Sequence, residues 1–186
     1  MGDVPGYSIR AAIPADARAI ALVQIAVRKT TYRGLVPDAN LDRLDSGLED
    51  RVRKWANRLV ATDGWKTLAV DGPGLNVVGF CYLGPVPASD PAYTGIIDII
   101  YVLKEHQRRG VGRWLFAEAA RLLAGQGHRA IYLWVHARNA PARRFYEKIG
   151  GMPIAERRTE YDGVVKEEVS YGWDEPALRR LVRVPE

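Results

Sequence analysis

The residues best placed to do chemistry form one short run, Gln107-Arg108-Arg109-Gly110-Val111-Gly112, directly ahead of an amphipathic stretch. A glycine in a helical position costs roughly 1 kcal/mol against alanine. Two of them at a helix start therefore call for a reason, and anion binding supplies one. Without side chains, phosphate oxygens can reach the unpaired N–H groups of a first helical turn, where the helix dipole adds its attraction. Arg108, Arg109 and Arg113 bring counter-charge. A plain strand-to-helix turn would also use glycine, so the spacing alone leaves both readings open. A dinucleotide fingerprint would need a third glycine where Leu115 stands, and a Walker loop would need Gly-Lys-Ser/Thr.

Other candidate groups stand singly. Asp98 is a lone carboxylate in Ile96-Ile97-Asp98-Ile99-Ile100-Tyr101-Val102, so it must be partnered or titrate abnormally. Tyr146 falls in a stripe with Ala142, Phe145 and Ile149, where a core role is the plainer reading. His136 ends an apolar run, and structure explains it as well as chemistry does. Cys81 is the sole cysteine, which excludes an intrachain disulfide and reads as a buried small residue. Cys81 and the dispersed His106, His128 and His136 offer no zinc spacing, so no metal is expected.

The elements that must position these groups follow from periodicity. Residues 7–13 read as a strand closed by Pro14, and 16–31 as a helix with Ile20, Val23 and Val27 on one face. Residues 32–38 are turn-rich, and Ser46-Gly47-Leu48-Glu49 predicts a capping box opening a second helix. Strands at 67–70 and 76–83 flank a hairpin at Asp71-Gly72-Pro73-Gly74, and 84–92 is a proline-rich loop. A long apolar strand over 94–103 suits the middle of a covered sheet. A helix then runs from Gly112 to Gly125, a strand over 130–136, and a helix opened by Asn139-Ala140-Pro141 and stopped by Gly150-Gly151. A hairpin turning at Asp162-Gly163 closes the pattern. The order predicts one α/β domain, a mixed sheet of about seven strands with helices on both faces. Its core spans about 7–173, and 174–186 form a tail able to make a short docking helix.

A chain of 186 residues with 47% hydrophobic and 26% charged composition suits a single globular domain. No apolar run approaches the roughly 20 residues that span a bilayer. No basic-then-apolar leader opens the chain, so neither membrane nor export is expected and a cytoplasmic location is. The net charge of +5 favours anionic partners in general. Arg108, Arg109, Arg138, Arg143 and Arg144 could form a phosphate stripe, but no nucleic-acid motif or interleaved aromatic residue supports it.

Residues 102–112, Val-Leu-Lys-Glu-His-Gln-Arg-Arg-Gly-Val-Gly, resemble the acyl-CoA-binding segment of the GCN5-related N-acetyltransferases (GNAT). Residues 139–151, from Asn139 through Phe145-Tyr146 to Gly150-Gly151, resemble that family's second signature. The element order matches over about Tyr7 to Trp173. Lys104 departs from the proline many relatives carry.

The resemblance implies an N-acetyltransferase fold and acetyl-CoA as donor, with direct transfer to a primary amine of a small molecule or a peptide N-terminus. It implies cofactor contacts from Tyr101, Val102, Gln107, Arg108, Arg109, Gly110, Val111, Gly112, Arg113, Asn139, Arg143 and Tyr146. It places an oxyanion-binding main-chain N–H near Tyr101–Val102, where the strand would bulge, with Val102 favoured. Tyr146 would protonate the leaving thiolate, and Asp98 is the candidate base. The acceptor would lie beside residues 32–38, with Tyr32, Tyr82, Tyr93 and Tyr161 as lining. The family also pairs through sheet edges, so a homodimer is open. A CoA-binding module without catalysis, acting as a sensor or partner subunit, is the alternative.

Overall fold

The computed structural model describes residues 3–74, 76–86, 92–161 and 164–182. The expected turn at Asp162-Gly163 and the side chain of Tyr161 lie outside the described residues. Seven strands form one sheet: β1 (Ser8–Ala11), β2 (Lys66–Asp71), β3 (Val77–Pro85), β4 (Gly95–Val102), β5 (Ile131–His136), β6 (Met152–Tyr161) and β7 (Val164–Trp173). Their order is β1-β2-β3-β4-β5-β7-β6, and only β4 and β5 run parallel.

Helices cover both faces. On one lie α1 (Ala17–Tyr32), the short α2 (Asp38–Asp42) and α3 (Leu48–Val60). Ile20, Val23, Val27 and Trp55 from these helices pack on Phe80 and Tyr82. On the other face lie α4 (Val111–Gly125), α5 (Ala140–Lys148) and α6 (Glu175–Val182). There Leu115, Phe116, Ala119 and Leu123 pack against Ile97, Leu133, Tyr171 and Trp173. The tail is thus a helix, and its Ala177 and Leu178 join this core.

Two local expectations are corrected. Ser46 and Glu49 do not form a capping box, because Gly47 is the N-cap residue and no side chain caps α3. Ser46 Oγ donates to the Arg43 carbonyl, and Glu49 pairs with Arg18. Second, the first strand is shorter than expected, since the Ile13 N–H turns to the Asp16 carboxylate at 2.7 Å and a 3-10 turn starts at Pro14, while Arg10 within the strand holds the same aspartate. Its guanidinium bonds Asp16 at 2.7 and 2.9 Å and Asp71 at 2.6 and 3.1 Å, tying the start of α1 to β2.

The feature that shapes the centre of the sheet is a bulge at Asp98. Ile97 faces Leu83 and Ile99 faces Tyr82, so Asp98 is the extra residue. A bulge bends its strand. Pairing between β4 and β5 is confined to Gly95 with Ile131 and Ile96 with Tyr132, after which the two strands diverge. The irregularity expected at Tyr101–Val102 therefore lies upstream, at Asp98.

Candidate active site

The Gly loop sits at the mouth of this divergence. A short 3-10 turn, Lys104–His106, leads from β4 into it. Arg108 has φ 61 and Gly110 φ 89, both left-handed, and Gly110 is the N-cap of α4 with no side-chain cap. Holding a non-glycine residue there costs of order 1 kcal/mol. Alternating backbone hands turn successive N–H groups inward into an anion-binding nest. The N–H groups of Val111, Gly112 and Arg113 come ahead of the first helical bond, Trp114 N–H to Gly110 O at 3.0 Å. A Cβ on Gly112 would meet nothing within 4 Å, so packing does not demand glycine there. Arg108, Arg109 and Arg113 are exposed around it. These residues fit the diphosphate of coenzyme A.

The interior of the divergence carries the reacting groups. Leu103 N–H donates to Val78 O at 2.9 Å, so by strand alternation the main-chain groups of Val102 face away from β3, toward β5. The Val102 carbonyl is taken by Gln107 Nε2 at 2.9 Å, which also fixes the loop. The Val102 N–H points into the gap. Tyr146 is 8% exposed, with its ring against Phe116, Tyr171 and Trp173. Burial pushes its phenol above the usual range, and the nearby Tyr32 and Cys81 add to the shift. Tyr32 and Tyr101 reach the same place from the α1 face; burial raises both phenols, and Tyr101 is raised further by Tyr32 and then Tyr146. Three hydroxyls from opposite faces of the sheet thus converge where β4 and β5 part.

Around this centre on the α1 face stand the ionisable groups. Asp98 is solvent-exposed by surface area, yet the surrounding protein removes enough water to push its carboxyl above the usual range; Glu168 adds to this and Arg58 and Arg157 oppose it. His136 is 6% exposed and lies edge-on to Tyr32 at 6.3 Å. Burial, aided by Arg138, lowers its pKa, and its Nδ1 accepts from the Arg138 N–H at 3.2 Å. Lys166 is also lowered by burial, and then by Arg28.

Not every expected residue joins the site. Asn139 caps α5, accepting from Ala142 N–H at 3.3 Å. Arg143 does not face the Gly loop: its Nε donates to the Tyr171 hydroxyl at 3.1 Å and its Nη1 to Ala137 O at 3.0 Å. Tyr82 is stacked on Trp65 at 4.6 Å and packed beside Trp55 under α3. Tyr93 lies against Gly172 and Tyr132, at the end of the sheet where β4 and β5 are still paired. Neither lines the hydroxyl cluster. Arg28, Lys166 and Glu168 do surround it without having been singled out, since an arginine on a helix or a charge on a hairpin strand carries no spacing signal. Among the described residues, no group of His, Cys, Asp and Glu could hold a metal, and no helix is long and apolar enough to cross a membrane.

The model of the acetyltransferase (GNAT) family matches residues 25–151. An N-acetyltransferase of Bacillus subtilis named as uncharacterized, YuaI, is 34% identical over 177 residues, 94% of this chain and 98% of its own. Among solved structures, the PaiA N-acetyltransferase of Thermoplasma acidophilum in complex with coenzyme A superposes with a TM-score of 0.68 at 20% identity, covering 88% of this chain and 97% of that one. A Vibrio cholerae spermidine N-acetyltransferase (SpeG) chimera gives 0.68 at 17% identity, over 94% and 99%. The chain belongs to the GNAT family of acetyltransferases. It is an N-acetyltransferase, similar along nearly its whole length to YuaI.

Proposed function

We propose that the protein moves an acetyl group from acetyl-CoA to a primary amine by direct transfer, with both substrates held at once. The observation that carries this reading is the coincidence of three things at one place. They are the parting of β4 and β5, the Val102 N–H directed into the gap, and a buried Tyr146 within electrostatic reach of Tyr32 and Cys81. Acetyl-CoA supplies the acyl carbon as a thioester. The N–H groups of Val111, Gly112 and Arg113 bind its diphosphate, with Arg108 and Arg109 as counter-charge. Val102 N–H donates to the carbonyl oxygen as negative charge develops on it.

Tyr146 donates its proton to the departing sulfur. Its raised pKa keeps it protonated at neutral pH, which an acid requires. Asp98, held above the ordinary carboxylate range, accepts the proton of the attacking ammonium through water. Intact-mass analysis and two-substrate kinetics test the direct route. Incubation with acetyl-CoA alone should leave the protein mass unchanged, and reciprocal plots with an amine should intersect. A stable acetyl-enzyme with parallel lines would replace direct transfer by a covalent relay. Binding of acetyl-CoA without turnover of any amine would instead favour a sensor.

A further inference from the structure

A turn ahead of β1 reaches back to the Gly loop. Tyr7 N–H donates to Val4 O at 3.0 Å, with Gly6 at φ 80, so residues 4–7 fold on themselves before the strand begins. Both ends of that turn touch the loop. Val4 Cγ2 lies 3.6 Å from where a Cβ would stand on Gly110, the N-cap residue of α4. The Tyr7 hydroxyl lies 3.0 Å from His106 Nδ1, and the two rings meet edge-on with centroids 5.8 Å apart. A phenol both donates and accepts, so either imidazole tautomer keeps this bond. Val4, Tyr7 and Ile9 are all half-buried against the core that α4 covers.

His106 transmits this contact into the loop. It closes the 3-10 turn after β4, its own N–H donates to Leu103 O at 2.9 Å, and Gln107 follows it directly. Gln107 Nε2 in turn bonds Val102 O at 2.9 Å. The chain beyond holds Arg108 and Gly110 in left-handed conformations. Backbone in such regions persists only where surrounding contacts over-determine it. Here Gln107 ties the loop from within, Tyr7 ties its entrance through His106, and Val4 backs Gly110.

We propose that the turn Val4–Tyr7 belongs to the donor site: Tyr7, acting through His106, is a positioning residue that keeps the loop in the shape a diphosphate needs. This rests on the transferase reading and extends donor binding to a segment outside residues 25–151, which the family model matches. A loop that is competent only part of the time binds its ligand more weakly by that fraction. Losing the tie therefore lowers donor affinity without touching the transfer chemistry.

Calorimetric titration of acetyl-CoA into the unliganded protein tests this without an acceptor. Tyr7→Phe keeps the ring and removes only the hydroxyl, the loss of one net hydrogen bond. It should bind acetyl-CoA about fivefold more weakly, equivalent to about 1 kcal/mol. His106→Ala should lose at least as much, and Tyr7→Phe/His106→Ala no more than His106→Ala alone, since both remove one bond. His106→Asn, whose Oδ1 can accept from the phenol in place of Nδ1, should recover part of the loss. Arg10→Ala is the control: it weakens β1 through Asp16 and Asp71, and its acetyl-CoA affinity should match wild type. Wild-type affinity in Tyr7→Phe would overturn the proposal, as would losses that multiply in the double variant. An equal loss in Arg10→Ala would overturn it too, by tracing donor binding to the stability of β1 alone. If His106→Ala does not fold, Tyr7→Phe and His106→Asn decide by the same criteria. Failure of the wild type to bind acetyl-CoA would instead sink the transferase reading and this inference with it.

Discussion

Replacing Gly112 by alanine should separate stability from donor binding. Gly112 lies in the first turn of α4, and an added Cβ meets nothing within 4 Å. Alanine at a helical position is favoured over glycine by roughly 0.5–1 kcal/mol. A domain of this size should therefore melt about 2 °C higher. The same methyl group occupies the space through which a phosphate oxygen approaches the first-turn N–H groups. Losing one hydrogen bond to a charged group costs about 1.5–3 kcal/mol, roughly 10- to 150-fold in affinity. Differential scanning fluorimetry without ligand and calorimetric titration of acetyl-CoA read the two effects on one sample. Gly110→Ala is the control: its left-handed φ of 89 penalises a Cβ by about 1–2 kcal/mol, so that variant should lose stability. A Gly112→Ala protein that melts higher and binds acetyl-CoA as before would refute the reasoning and reduce Gly112 to a turn residue.

Three further outcomes are expected. Tyr146→Phe keeps the ring packed on Phe116 and Trp173, so kcat should fall about a hundredfold with acetyl-CoA affinity unchanged; unaltered kcat in steady-state assays would remove Tyr146 from the chemistry. Arg10→Ala leaves Asp16 and Asp71 without their shared guanidinium and should cost about 2–3 kcal/mol in urea unfolding, discounted because Arg10 is itself 37% exposed. Because Arg10 holds the Asp16 carboxyl below its usual range, this stabilisation is present above pH about 4 and is lost as pH falls through the folded-state pKa; a cost independent of pH would refute the assignment. Asp98 has the opposite sign: burial raises its carboxyl, so ionisation opposes folding as pH climbs above the ordinary carboxylate pKa. Asp98→Asn should thus raise the melting temperature more at pH 7 than at pH 3, and an equal shift at both would contradict the assignment.

Periodicity and glycine placement made the architecture legible. The apolar run 94–103 lies mid-sheet, Asn139 caps α5, and the glycines of 110–112 open α4. What periodicity could not show is where tertiary partners override local grammar. Ser46 and Glu49 have the right spacing for a capping box, but Arg18 on another helix claims the glutamate. Aromatic residues were poorly placed for the same reason. Tyr82 alternates toward one face of the sheet, but only tertiary packing decides that Trp55 of α3 and Trp65 of the connection to β2 cover it. The hydroxyl cluster joins residues from α1, β4 and α5, and no linear pattern connects Tyr32, Tyr101 and Tyr146.

The parting of β4 and β5 has a mechanical consequence. Among the described residues, two ladder pairs and the Thr94 and Gly95 N–H bonds to the Ala130 carbonyl join β4 to β5, all at one end, so the backbone seam falls at the middle of the sheet rather than at its rim. Amides beyond that bridge, such as Val102, should exchange with deuterium as quickly as those of a frayed edge although their side chains are buried. A donor arm lying in the gap would close the seam from within. Acetyl-CoA binding should then slow exchange at the Val102 amide, and unchanged exchange would refute the seam.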